Sequence, residues 1–213
     1  VKVLLVSFSY PPVPGPGLDR ALELAQALPA LGIETHVLSR EEDERLLQEE
    51  AARVPTQAWV HRVRHVGPTA AAEGAEDPEP DDLFARLAAR ARWLGRRALQ
   101  PDESVTWNLT AIPSAVRLVR AQSIDGVVTV APPQSVHLVG AAVKRATGAA
   151  WLADLGERPG DGIAWLLTRQ ADAIACGSEE IADAMRTRGP GGQVSVRTGE
   201  DAVSTADLLR SLA

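Results

Sequence analysis

The sequence predicts an α/β fold, three layers deep, in which a mostly parallel sheet of about seven strands lies between two layers of helices. Three observations predict it. Residues 126–157 read as one strand–turn–helix–strand unit. Val127–Val130 are consecutive β-branched residues, Ala131-Pro132-Pro133 stops the strand, and Ser135–Thr147 has helical spacing with Val136, Val139, Ala142 and Val143 on one side. After Gly148, at a helix-terminating position, Ala149–Leu155 forms a second apolar run. These runs are unbroken rather than alternating, as strands buried on both faces require. Strand-like and helical segments then alternate along the rest of the chain, with no internal repeat.

Val3–Phe8 is a buried strand by its continuous apolarity. Ser9–Gly17 is too rich in proline and glycine for a helix. Helix resumes at Leu18 with Leu18, Leu22, Ala25 and Leu28 on one face and Gly32 ending it; Pro29, lacking an amide proton, predicts an early or kinked end. Glu34–Ser39 is the second strand. Glu41–Glu50 is acidic, a short exposed helix without an apolar stripe. Trp59–Val66 alternates with period two, a strand exposed on one side near a sheet edge, and residues 67–81 have the composition of a mobile loop. Asp82 caps a helix to about Leu99. Its outer face carries Arg86, Arg90, Trp93 and Arg97, a solvated stripe or a peripheral contact for anionic lipid. Pro101–Trp107 is a connection, and Pro113 starts a helix to about Gln122. Beyond the central unit come a short helix over 160–170, a strand at Ala171–Ala175, a helix capped by Ser178 and running to Arg188, a strand at Gln193–Val196 and a last helix from Asp201.

The chain of 213 residues is long enough for one large core and reads as a single domain. A formal charge of −6 argues against a nucleic-acid binder. The single cysteine, Cys176, excludes an intrachain disulfide and fits a reducing compartment. No apolar run reaches the ~18 residues of a membrane span, and no signal-peptide pattern is present. Together these read as a cytoplasmic protein.

Four blocks resemble a known family: Tyr10–Leu38, Asp125–Leu155, Arg169–Gly189 and, weakly, Val194–Asp201. The second is the most diagnostic, a strand ending in Pro-Pro, then Ser, one residue, His and Leu, then a strand ending in Asp. The chain resembles the amino-terminal, acceptor-side domain of bacterial GT-B-type retaining glycosyltransferases of the family 4 kind, which include enzymes of cell-surface polysaccharide biosynthesis. The resemblance implies a Rossmann-like domain facing a second domain, beyond Ala213, that binds the nucleotide sugar. It also implies a sugar or lipid-linked acceptor, a nucleotide sugar as substrate rather than any cofactor, and little turnover by this half alone. A free-standing Rossmann-like binding or regulatory module is the alternative. A nicotinamide oxidoreductase is disfavoured, because Gly15-Pro16-Gly17-Leu18-Asp19-Arg20 has Arg where the dinucleotide motif has its third glycine.

Candidate site residues follow from strand ends, helix starts and the resemblance. Gly15 and Gly17 open a helix whose N-terminus favours an anion, and Arg20 is the candidate charge for a departing phosphate. Ser135 and His137 begin the helix after the Pro-Pro turn; the imidazole is a candidate hydrogen-bond partner or base. Asp154 and Glu157 end the next strand as candidate acceptor contacts. Here the sequence departs from the family, which tends to read Asp, aromatic, Arg, Asp, Pro, Trp, whereas Gly156 and Glu157 remove a charge and lengthen a carboxylate. Ser178 reads as a helix cap and Cys176 as core. His36, His61 and His65 lack metal-ligand spacing, so no metal site is expected.

Overall fold

The computed structural model describes residues 1–41, 57–65, 103–158, 168–196 and 201–212. The acidic stretch after Glu41, the loop at 67–81, the helix expected over 82–99 with Arg86, Arg90, Trp93 and Arg97, and most of that expected over 160–170 lie outside them. The described strands are β1 (Lys2–Val6), β2 (Glu34–Arg40), β3 (Trp59–Val63), β4 (Gly126–Ala131), β5 (Ala150–Leu155), β6 (Ala173–Cys176) and β7 (Gln193–Val196). All pair in parallel in one sheet of order β3-β2-β1-β4-β5-β6-β7. The expected α/β architecture with a seven-stranded, Rossmann-like sheet is therefore observed, with β3 at an edge.

The described helices are α1 (Leu18–Ala30), α2 (Asn108–Gln122), α3 (Val136–Thr147), α4 (Glu179–Thr187) and α5 (Asp201–Leu212). Parallel neighbours need crossovers, and these helices cover both faces. On one face α1 and α5 bury Leu24, Leu28, Ala206 and Leu209 against Leu5, Val128 and Leu152. On the other, α2 and α3 bury Ala111, Ala115, Val136 and Val139 against Leu4, Val6 and Val127. Beside them α4 packs Ala182 and Met185 against Ile174 and Cys176.

Local expectations hold in part. Gly148 ends α3 with φ 77°, and the Ser178 hydroxyl caps α4 by accepting from the Ile181 amide at 3.3 Å. Pro29 does not shorten α1. The helix runs to Ala30, and the Leu31 amide still reaches the Ala27 and Leu28 carbonyls. The buried stripe of α1 is Ala21, Leu24, Ala25 and Leu28, with Leu18 and Leu22 only half-buried, because α5 as well as the sheet packs on it. Pro113 does not start its helix either. A 3-10 turn, Glu103–Trp107, leads directly into α2 at Asn108, leaving Pro113 inside. Tertiary bonds hold that first turn: Asn108 Nδ2 donates to the Ser135 carbonyl at 2.9 Å and the Thr110 hydroxyl to Arg64 at 2.6 Å. No helix among the described residues is long and apolar enough to cross a membrane.

Gly140 sets the contact between α3 and β5. A Cβ there would lie 2.2 Å from Trp151 Nε1. Gly140→Ala is expected to lower stability by about 1–3 kcal/mol through overpacking, measured by urea denaturation. A neutral result would mean that the indole is free to move aside.

Candidate functional site

The loops that follow β1, β4 and β5 meet at the C-terminal edge of the sheet. Strand order reverses between β1 and β4, and adjacent connections leave there in opposite directions, the position at which open α/β sheets bind ligands. The loop after β1 bends through Gly15 (φ 146°) and Gly17 (φ 81°), conformations that glycine alone adopts without strain. A Cβ on Gly17 would lie 2.5 Å from the Pro132 carbonyl oxygen, so the glycine lets the first loop touch the Pro-Pro turn. The Gly156 amide donates to the Ala131 carbonyl at 3.3 Å and brings the loop after β5 to the same place. From β3, the half-buried Arg62 clamps the first loop. Its guanidinium donates to the carbonyls of Tyr10 and Pro11 and to the Ser39 hydroxyl, and lies over the Tyr10 ring. Burial pushes the Tyr10 phenol up to about 12, against the pull of Arg62.

Arg20 and Asp154, separated by 134 positions, form a buried ion pair. Arg20 Nε donates to Asp154 Oδ2 at 2.9 Å, and the Asp154 side chain is fully buried. The rest of the fork donates to Glu23 at 2.9 Å and to the Thr205 hydroxyl of α5 at 3.4 Å. Burial pulls the guanidinium pKa down, but Asp154 and Glu23 outweigh it and the net direction is upward. Glu157 is exposed beyond β5 and makes no hydrogen bond or ion pair with the described residues.

Ser135 and His137 are both buried at the start of α3. The first amides of this helix, at Val136, His137 and Leu138, donate to the carbonyls of Pro133, Gln134 and Ser135, so they are already engaged within the chain. His137 Nδ1 lies 2.8 Å from the Thr129 hydroxyl, which also accepts from Trp151 Nε1 at 2.8 Å. Burial pushes the imidazole down to about 3, so it is neutral near pH 7. A base that weak is poorly matched to proton abstraction at neutral pH, and its direct chemistry is hydrogen bonding. His137 Nε2, both amide atoms of Gln134 and Asn108 Oδ1 are buried without a partner among the described residues. Such groups are ordinarily met by water or a ligand.

Thr129, Trp151, Asn108, Gln134, Arg62 and Thr205 are partners that sequence reasoning missed. Only Thr129 had a local signal, as the one hydroxyl in an apolar strand. Among the described residues no group of three or more His, Cys, Asp or Glu side chains is placed to hold a metal. His36 Nδ1 and His61 Nε2 instead lie 3.1 Å apart, with Glu34 on the far nitrogen of His36. A shallow groove of about 610 Å³ on α2, lined by Pro113, Val116, Arg117, Arg120 and Ala121, lies on the half of that helix leading away from the strand ends.

The elements thus form a doubly wound α/β domain whose candidate site lies at its switch point. Comparison of the sequence with family models and with curated proteins gives no match. Solved structures match on fold. UGT89C1 of Arabidopsis thaliana complexed with UDP-L-rhamnose gives a TM-score of 0.57 at 13% identity, over 93% of this chain and 51% of that one. A sucrose-phosphate synthase structure from Thermosynechococcus elongatus gives 0.59 at 15% identity, over 100% and 99%. HepE of Anabaena in complex with UDP-glucose gives 0.51 at 14% identity, over 92% and 43%. The chain spans about half the length of UGT89C1 and less than half that of HepE. Its fold is the Rossmann-like one of GT-B glycosyltransferases.

Two stability experiments probe this site. Arg20→Met takes the Arg20 cation away from the buried Asp154 carboxylate and is expected to cost about 3–5 kcal/mol. Asp154→Asn, which leaves Glu23 and Thr205 to the guanidinium, should cost less; equal costs in urea denaturation would contradict the asymmetry. For His137 the folded value of about 3 lies below the ordinary 6.5, so the unfolded chain binds more protons between them. Its contribution is complete above about pH 6.5 and is lost as pH falls toward about 3, by up to about 1.4 kcal/mol per pH unit. His137→Gln should flatten this part of the stability profile, and an unchanged pH slope would remove the assignment.

Proposed function

We propose that this chain is the acceptor-side domain of a GT-B sugar transferase similar to glycosyltransferase family 4. In this reading it holds an acceptor hydroxyl, on a sugar or lipid-linked carrier, while a second domain supplies the nucleotide sugar. The observation that carries the proposal is the convergence of three loops at the switch point, where Gly17 meets Pro132, Gly156 meets Ala131 and Arg20 meets Asp154. The likeness in fold to enzymes solved with UDP-sugars supports it. The chemistry agrees: retaining transfer depends on fixed donors that stabilise the departing phosphate more than on one strong base, and His137 is a neutral imidazole.

Within that reading, Gly15 and Gly17 form the substrate-facing loop, Ser135 and His137 contribute polar groups from α3, and Asp154 fixes Arg20 beside them. Glu157 is the carboxylate left exposed for an acceptor hydroxyl. The protein would work in the cytoplasm, with the arginine stripe of Arg86, Arg90, Trp93 and Arg97 as its contact with an anionic membrane surface that carries the acceptor.

This chain is expected not to turn over nucleotide sugars by itself, because the donor half is a separate domain in this reading; appreciable turnover would sink it. Soluble glycosides should shift amide resonances in 15–20, 134–138 and 154–157. Absence of any shift at about 10 mM, where a millimolar ligand would saturate, would remove the acceptor role.

A further inference from the structure

Thr129 stands between a group that only donates and one that does either. The indole Nε1–H of Trp151 has no acceptor capacity, so at 2.8 Å it takes one lone pair of the Thr129 hydroxyl. His137 Nδ1 lies 2.8 Å from the same oxygen, and that oxygen has no further partner among the described residues. Two tautomers are possible. If Nδ1 carries the proton, the Thr129 hydroxyl hydrogen has no acceptor and Nε2 is a bare buried acceptor, leaving two groups unsatisfied. If Nε2 carries it, the threonine donates to Nδ1 and only the Nε2–H remains open. All three side chains are fully buried, so each unsatisfied group counts, and the second arrangement is favoured by about tenfold or more. Gly140 leaves the space that lets the indole reach Thr129.

We propose that Thr129 and Trp151 are positioning residues that hold His137 as the Nε2–H tautomer, so that this imidazole presents one buried hydrogen-bond donor, suited to an oxygen acceptor such as a sugar hydroxyl or ether oxygen. The relay stands on the geometry alone; the identity of the ligand rests on the sugar-transfer reading.

Histidine-selective nitrogen-15 spectra of this chain at about pH 7 test it, with the His137 signals assigned by their loss in His137→Gln. The expected result is a protonated Nε2 and a bare Nδ1 in the wild type. Thr129→Ser should keep that pattern. Thr129→Val and Trp151→Phe should move the Nδ1 signal toward the average of two exchanging tautomers. A protonated Nδ1 or an imidazolium in the wild type overturns the proposal, as does an Nδ1 signal unmoved in both Thr129→Val and Trp151→Phe. If Thr129→Val does not fold, Trp151→Phe against Thr129→Ser gives the same comparison. Addition of a soluble glycoside then reads the ligand separately. A shift of the Nε2 signal supports the sugar contact; an unmoved Nε2 beside the expected tautomer overturns that contact and leaves the relay standing.

Discussion

Every strand of the described sheet is parallel to its neighbours, and the rest of the structure depends on that pairing. Parallel strands cannot be joined by tight hairpins, so each connection crosses a face of the sheet and delivers the next strand in the same direction. The strands therefore end at one edge, and helices bury both faces. Winding starts at β1, proceeds through β2 to β3, then returns to lay β4 on the other side of β1. At that reversal the connections after β1 and β4 diverge. Gly17 and the Pro132 carbonyl meet there because the sheet places both loops there, and a side chain at position 17 would hold them apart.

A sheet covered on both faces has little tolerance for unpaired polar groups, and this governs how Arg20 and Asp154 behave. Asp154 is fully buried at the end of β5, and its desolvation is offset by the guanidinium reaching down from α1. The same guanidinium reaches Thr205 on α5, the helix that packs beside α1. One charged group thus joins the first helix, a central strand and the last helix. Such a pair adds little net stability over an apolar replacement, but breaking one side of it is costly. It specifies how these three elements sit together at the switch point.

What the sequence made legible was periodic or local. The β-branched run at Val127–Val130, the Gly148 terminator, the Ser178 cap and the strand at Gln193–Val196 depend on a few neighbouring residues, and the structure places them as read. Where tertiary bonds decide, local rules failed. Proline chemistry starts a helix at Pro113, yet Asn108 and Thr110 hold an earlier turn through bonds to α3 and to Arg64. The Arg20–Asp154 pair joins residues no local rule connects, although Asp154 is legible from its strand end and Arg20 from the family resemblance. Trp151 reads as an ordinary apolar residue opening a strand, and its role appears only when Gly140 lets the indole reach Thr129.

These two polar arrangements bear on the kind of ligand the site suits. An anion arriving at α1 meets an arginine whose charge is already balanced by Asp154 and shared with Glu23, and the first amides of α3 are spent on its own turn. At α3 this leaves none of these amides free for the contacts that phosphate binding uses. Beside the exposed Glu157 carboxylate stand neutral groups: a histidine kept uncharged by burial, and the amide atoms of Gln134 and Asn108 Oδ1, which have no partner among the described residues. Neutral donors and acceptors match hydroxyl-rich molecules, whose own hydrogen bonds to water must be replaced one for one on binding. Under the sugar-transfer reading proposed above, such groups suit an uncharged, hydroxyl-bearing acceptor.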